Sequence, residues 1–498
     1  MYVLGLDIGS SSIKASLVNA KNGKVVAHTF APKEEMNIVS HQNGWAEQDP
    51  ESWWSYVKKC IPLLLKEAAI DKSLIKALGV SYQMHGLVVV DKNKELLRSS
   101  IIWCDSRAVA IGKKAFATLG KEYCLHHLLN SPGNFTASKL KWVKENEPEL
   151  FDKIYKIMLP GDFIAMKLTG EITTTINGLS EGIFWDFKEN RISKTLLEYY
   201  GISEDLFPEI RNAFGSHGVL LDTIANELGL PKGISVTYKA GDQPNNAMSL
   251  NVLNPGEIAA TAGTSGVIYG VVEDIQLDLQ SRVNVFAHVN HSLDTPRYGV
   301  LACINGTGIL NAWLRKNMGI GMSYSEMNAL AETVKIGAEG IQVFPFGNGA
   351  ERILEDVAIG CSWENINFNR HGKEHLFRAA QEGIVFSFQY GINIMKTMGL
   401  QPTVIKAGNT NMFLSPIFKE TLATVSGAQI EIYNTDGAIG AALGSGFGAG
   451  IYDSLEEAFS YVQKTETIYP NKKTKRQIDT LFKNWETVLK QKISERTV

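Results

Sequence analysis

"YVLGLDIGSSSIKASLVN", residues 2–19, decides how the rest of the chain is read. Two apolar runs in strand-like alternation flank Gly9-Ser10-Ser11-Ser12, so the stretch predicts a hairpin closed by a tight, hydroxyl-rich turn. Asn22-Gly23 then marks a second hairpin turn, into "KVVAHTF". A turn of glycine and hydroxyl residues gathers backbone N–H groups and side-chain O–H groups in a small concavity that suits phosphate oxygens. Asp7, at the end of the first strand, is placed to hold a magnesium ion directly or through water, because Mg²⁺ takes oxygen ligands and keeps several waters. The turn is neither a GxxxxGK[ST] loop nor a GxGxxG loop. Taken alone, an ordinary serine-rich hairpin explains it equally well.

The stretch has an echo. "AATAGTSGVIYGVV", residues 259–272, is again strand, glycine-hydroxyl turn and strand, and Gly263-Thr264 falls 254 positions after Gly9-Ser10. A chain of 498 residues is too long for one ordinary core. The echo therefore predicts two similar domains of about half the chain each, residues 1–245 and 246–498. Between the two hairpins, "EQDPESWWSYVKKCIPLLLKEA" opens a helix with Asp49 as cap and Pro50 at the first helical position. Strands alternating with helices at this spacing predict an α/β architecture. The C-terminal "KKTKRQIDTLFKNWETVLKQKI" places Ile478, Phe482, Trp485 and Leu489 on one helical stripe, which predicts a docking helix with a solvated lysine face.

Composition narrows the classes. A net charge of −3 argues against a general nucleic-acid binder. Cys60, Cys104, Cys124, Cys303 and Cys361 are scattered and form no CxxC pair, which suits a reducing cytoplasm. The start of the chain has no signal-peptide pattern. "GAIGAALGSGFGAGI", residues 437–451, is too short and too rich in glycine to span a membrane, and predicts a small-residue helix packed inside the protein.

Three further stretches carry polar groups where apolar strands end. "KAGDQPNNAMS", residues 239–249, reads as a turn that exposes Asp242 close to the domain boundary. In "YQMHGLVVVD", residues 82–91, Gln83-Met84-His85-Gly86 interrupts two apolar runs, and His85 can serve either as a partner for a polyhydroxylated ligand or as a satisfied core histidine. "IIWCDSRA", residues 101–108, ends a strand with Trp103, Asp105 and Arg107, a set that fits either sugar recognition or an internal ion pair.

Together these residues resemble the FGGY family of carbohydrate kinases, nearly end to end. The similarity runs through "LGLDIGSSSIKASLVN", "GWAEQDPESWW", "QMHGLVVVD", "WCDSRA", "MLPGDFIAMKLTGE", "AGDQPNNAMS", "GTSGVIYG", "NGAERI" and "AIGAALGSGFGAG". The resemblance implies two actin-like ATPase (ribonuclease H-like) domains around a central cleft, with sugar on the N-terminal domain and nucleotide on the C-terminal one. Asp242 then matches the general base and, with Asp7, the magnesium site. Met84, His85, Asp105 and Gln243 match sugar contacts. Gly9, Ser10, Ser11, Ser12, Gly263, Thr264, Gly308, Gly408 and Asn411 match ATP contacts, the last two in "IKAGNTNMFLSPIF", which departs from the glycine-rich loop common in the family. The implied reaction is ATP- and Mg²⁺-dependent phosphorylation of the terminal hydroxyl of a ketopentose, D-xylulose first, by a cytoplasmic enzyme that can form a homodimer. Another polyol, ketose or gluconate is the alternative substrate. A sugar-independent actin- or chaperone-like ATPase leaves "QMHG" and "WCDSR" without a use, and an inactive sugar sensor has no need of both Asp7 and Asp242.

Overall fold

The structure, a computed structural model, describes residues 1–349 and 351–497; Ala350, inside the "NGAERI" stretch, lies outside them. The chain divides into two compact units. The first gathers Met1–Asn251, Phe286–Arg297 and Thr435–Val462, and the second Val252–Val285, Tyr298–Asn434 and Gln463–Val498. The chain thus returns to its first unit twice after the boundary expected near residue 245.

In the first unit, β1 (Tyr2–Ile8), β2 (Ile13–Asn19), β3 (Val25–Ala31), β4 (Ile75–Tyr82) and β5 (Ser235–Gly241) form one sheet in the order 5-4-1-2-3. β1, β2 and β3 pair antiparallel, while β1, β4 and β5 run parallel. In the second unit, β6 (Ile258–Ala262), β7 (Gly266–Val272), β8 (Tyr298–Ile304), β9 (Val404–Gly408), β10 (Gln429–Tyr433) and β11 (Lys464–Ile468) lie in a seven-stranded sheet. Its first five of these strands repeat the pattern: antiparallel β6-β7-β8 and parallel β6-β9-β10. The two echoed hairpins are therefore the first two strands of two sheets with the same strand order and directions. This is the architecture of two actin-like domains.

Helices cover these sheets. α1 (Pro50–Ala68) starts as the sequence predicts, with Asp49 accepting from the Glu51 amide at 3.0 Å and Pro50 in the first turn. α2 (Thr136–Asn146), α3 (Ile176–Glu181), α4 (Asp242–Ser249), α5 (Gly308–Asn317), α6 (Gly437–Gly448) and α7 (Lys475–Thr497) follow. α6 is the glycine-rich stretch, and it is buried in the first unit. A Cβ on Gly5 of β1 would stand 1.9 Å from the Ala438 carbonyl, and one on Gly79 of β4 would stand 2.1 Å from that of Ala441. Only glycine on the strands lets the helix backbone come that close. Among the described residues no helix is long and apolar enough to cross a membrane. α7 docks on the second unit through Ile478, Phe482, Trp485 and Leu489, with the Trp485 indole donating to the Val343 carbonyl at 2.8 Å.

Candidate functional site

In the first unit, β1, β4 and β5 end side by side, and the polar residues just beyond them form the candidate site. Asp242 corrects the sequence reading: it does not lie in a turn but is the first residue of α4, directly after β5. Pro244 sits in the first helical turn, where its missing N–H costs nothing. The junction is fixed from below. Lys239 in β5 is buried and pairs with Asp162 at 2.6 Å, while the Asn245 side chain in α4 donates to the Gly437 carbonyl of α6 at 2.9 Å.

Asp242 is half-buried. Burial and the nearby charge of Asp7 push its carboxyl up to about 7, against a pull from the Gln243 backbone and side-chain amides and from Lys14. Asp7 accepts from the Ser81 hydroxyl at 3.2 Å and meets the Lys14 ammonium at 3.5 Å. Lys14 was missed as a site residue, yet the hairpin register places it directly across from Asp7. Counting outward from the Gly9–Ser12 turn pairs Ile8 with Ile13 and Asp7 with Lys14, so the signal was in the spacing. The Asp7, Asp242 and Asp436 charges together hold the Lys14 ammonium above its ordinary range.

The Gly9–Ser12 turn closes with the Gly9 amide donating to the Ser12 carbonyl at 3.1 Å. Gln48 donates to the Ser10 carbonyl at 2.7 Å, and its own side-chain oxygen accepts from Trp53 and Gln83. Exposed Trp103 donates to the Ser10 hydroxyl at 3.3 Å. One glutamine thus ties the hydroxyl turn to the "QMHG" turn. In that second turn His85 has a φ of 62°, a left-handed conformation that costs a residue with a Cβ about 1–3 kcal/mol unless its surroundings impose it. Here they do. The buried Lys139 ammonium of α2 donates to the His85 carbonyl at 2.8 Å and to the Ile102 carbonyl at 2.9 Å. The His85 ring bonds through Nδ1 to the Glu181 carbonyl at 2.9 Å and packs edge-on to Phe135. Burial lowers the Lys139 ammonium to about 7 even with Asp105 nearby.

Asp105, expected among the sugar contacts, is fully buried. Its oxygens take the Ala46 amide at 2.6 Å and a two-pronged Arg107 guanidinium at 2.7 and 2.9 Å. Arg107 in turn meets Glu47 at 2.7 Å and stacks on Trp45. No carboxylate oxygen is left for a sugar, so Asp105 is corrected to the internal ion-pair reading. Ala46, which donates to it, and Glu47, which completes the pairing through Arg107, are far away in sequence.

One site residue had no sequence signal. Glu181, at the end of α3, is buried, and its carboxyl lies 2.3 Å from where a Cβ on Gly241 would stand. The same point is 2.6 Å from the Met84 side chain. Burial first, and the charge of Asp242 second, hold the Glu181 carboxyl well above the usual carboxylate range.

The second unit gathers the expected nucleotide residues. The Gly308 amide donates to the Gly263 carbonyl at 2.9 Å and the Ile309 amide to the Thr264 carbonyl at 3.1 Å, which docks the start of α5 on the second hairpin turn. A Cβ on Gly308 would stand 2.2 Å from the Gly263 carbonyl oxygen, so the contact requires glycine. A Cβ on Gly263 would stand 3.5 Å from the Asn411 side-chain nitrogen. Gly408 ends β9 and accepts from the Thr410 amide at 2.8 Å. Glu351, buried beneath this group, accepts the Asn305 amide at 3.0 Å and supports the backbone that leads to Gly308. Burial pushes its carboxyl up to about 7 against the pull of the Asn305 and Gly306 amides.

Residues 2–249 match the model of the N-terminal domain of the FGGY family of carbohydrate kinases. The chain is 29% identical to the xylulose kinase of Bacillus subtilis over 490 residues, covering 97% of this chain and 95% of that protein. Among solved structures, a xylulose kinase from Rhodospirillum rubrum superposes with a TM-score of 0.87 at 24% identity, covering 99% of both chains. A gluconate kinase from Lactobacillus acidophilus superposes with a TM-score of 0.90 at 22% identity, covering 100% of this chain and 99% of that one. The last two likenesses show the fold. The doubled sheet and the family match define a sugar kinase built on two actin-like domains. The chain belongs to the FGGY family of carbohydrate kinases, whose members use ATP.

Proposed function

We propose that this chain transfers the γ-phosphoryl group of ATP to the terminal hydroxyl of a ketopentose, D-xylulose first, giving D-xylulose 5-phosphate and ADP in the cytoplasm. The observation that carries the reading is Asp242: a half-buried carboxyl poised near neutrality, in the same corner of the first unit as Met84 and His85. A base with its pKa near working pH combines the ionised form with useful proton affinity. Asp242 takes the proton of the C5 hydroxyl as that oxygen bonds to phosphorus and the bond to the ADP oxygen breaks. Phosphoryl transfer depends on positioning and charge neutralisation more than on covalent chemistry.

Met84, His85 and Gln243 orient the sugar. Gly263, Thr264, Gly308, Gly408 and Asn411 bind the nucleotide, and Gly9, Ser10, Ser11 and Ser12 supply phosphate contacts on the first unit. Mg²⁺ is bound by one or two carboxylates together with water and substrate phosphates. Asp7, with Asp242 as a second oxygen donor, fits that requirement, and Lys14 limits the negative charge around it. When bound, the ion neutralises charge on the phosphates.

The test is ADP release measured with a panel of ketopentoses, polyols and D-gluconate, each against a sugar-free control. Turnover that depends on D-xylulose supports the reading. Turnover that needs no sugar, or none with any of them, overturns it. Preference for D-gluconate overturns the choice of sugar and keeps the kinase.

A further inference from the structure

The Glu181 carboxyl has no use in the phosphoryl-transfer scheme, and its position is costly. It is 1% exposed, and its Oε1 has no hydrogen-bond partner. A buried polar atom without a partner costs folding free energy unless a ligand supplies the missing bond. The structure puts that carboxyl beside the candidate sugar site. The other carboxylate oxygen lies beside Gly241, the residue before Asp242, at a point also touched by Met84. The Glu181 main chain holds the His85 ring, through the 2.9 Å contact to Nδ1. The helix that ends in Glu181 is itself pinned: the Ser180 hydroxyl accepts from the Ala287 amide at 2.9 Å, in the segment that returns to the first unit. Glu181 is therefore held in place by its surroundings, with one oxygen unused.

We propose that Glu181 is a further specificity contact, which takes a hydroxyl of the bound sugar through Oε1 and selects the sugar that places a hydroxyl there. The proposal rests on the reading that Met84, His85 and Asp242 mark the sugar site. Sites built to hydrogen-bond a substrate hydroxyl reject the analogue that lacks it, because a buried partner is then left unsatisfied.

The experiment measures sugar binding by calorimetry on the full-length protein, so that it does not depend on turnover, using the sugar selected in the ADP-release panel and its monodeoxy analogues. Glu181→Met fills the same volume without a polar atom. It should weaken binding of the parent sugar by roughly tenfold or more while raising Tm, since the unpartnered carboxyl is gone. Glu181→Gln, which keeps shape and hydrogen-bonding capacity, should restore most of the affinity. One deoxy analogue should bind the native protein poorly and lose nothing further in Glu181→Met. A purely structural role predicts the reverse: Glu181→Met lowers Tm, and any loss of affinity is equal for the parent and every analogue. That result overturns the proposal, as does an unchanged affinity in Glu181→Met. Met84→Ala, measured alongside, separates the two levels. If Met84→Ala weakens binding and Glu181→Met does not, only the Glu181 contact falls. If neither does, the sugar site itself is misplaced and both fall.

Discussion

Two carboxyls, one in each unit, are held near the same value but stand in different surroundings. Asp242 and Glu351 both reach about 7, and burial is the leading cause in each. Glu351 is fully buried and spends its oxygens on the amides that lead to Gly308. Asp242 is half-buried at the start of a helix, and the second cause of its shift is another carboxylate, Asp7. Of these two, only Asp242 keeps an open side and faces a second charge, the setting in which a perturbed acid is suited to proton transfer. Glu351 has neither and is scaffolding for a glycine turn. On the proposed reading Asp242 is a base that must lose its proton, whereas Glu351 is an acceptor that must keep its bonds.

Asp242→Asn is the strongest test of that contrast. General-base help is typically worth ~10²–10⁴ in rate, so kcat should fall by at least that range while calorimetry shows sugar binding largely kept. Near-native kcat would break the contrast. The same variant should be more stable than the native protein at pH 8. Asp242 binds its proton more tightly in the folded state, with a pKa of about 7 against 3.8 for an ordinary aspartate. Its ionisation therefore costs stability that is lost as pH rises from about 4 towards 7 and regained as pH falls. Thermal unfolding of both proteins at pH 8 and pH 5 should show a gap at the higher pH that narrows at the lower.

The pH dependence of turnover comes next in size. Asp7, Lys14, Tyr82 and Glu181 are charged or titratable groups around Asp242, and the proton that the proposed base loses leaves near pH 7. kcat/KM for the sugar should then fall about tenfold for each pH unit below 7 and level off above it. A profile flat from pH 5 to 8 would remove Asp242 from the role. Glu351→Gln should act on the other substrate alone. One carbonyl oxygen replaces two carboxylate oxygens beneath Asn305 and Gly306, and a lost bond to a buried amide is worth about 1–3 kcal/mol. KM for ATP should rise by roughly tenfold with the sugar Kd unchanged. A shift in the sugar Kd instead would show that Glu351 is more than a local support.

What could be read before the structure follows from the range of the interactions. The hairpins, the helix start at Asp49 and the buried glycine-rich helix were legible because each is written in adjacent residues. The doubled sheet was foreseen through a five-residue echo and through the family resemblance. The two returns to the first unit were invisible, because a strand order records neighbours far apart in the chain. Asp105 was misread for the same reason: Arg107 was in view, while Ala46 and Glu47 were not. Asp242 was read as a turn residue because Asp, Pro and Asn also suit the first turn of a helix, and composition cannot separate the two. Lys14 could have been found from hairpin register alone. Glu181 could not, since its meaning comes from Gly241 and Met84 in other elements.

Lys139 gives the smallest expected effect and the finest test of how the first unit differs from the second. It touches no candidate substrate group; it acts by donating to the His85 and Ile102 carbonyls, and so holds His85 in its left-handed turn. It is a positioning residue, the counterpart in the first unit of Glu351. Lys139→Met removes the charge and both bonds but keeps most of the volume, so the turn relaxes while the core stays filled. The sugar KM should rise about threefold, a fraction of the cost of one buried bond, because Phe135 and the Glu181 carbonyl still hold the His85 ring. KM for ATP should not move, and Lys139→Arg should recover little, since a planar guanidinium does not fit a site shaped for a compact ammonium. If Lys139→Met shifted the ATP constant as much as the sugar constant, the division of labour between a positioning lysine in the first unit and a positioning glutamate in the second would fail.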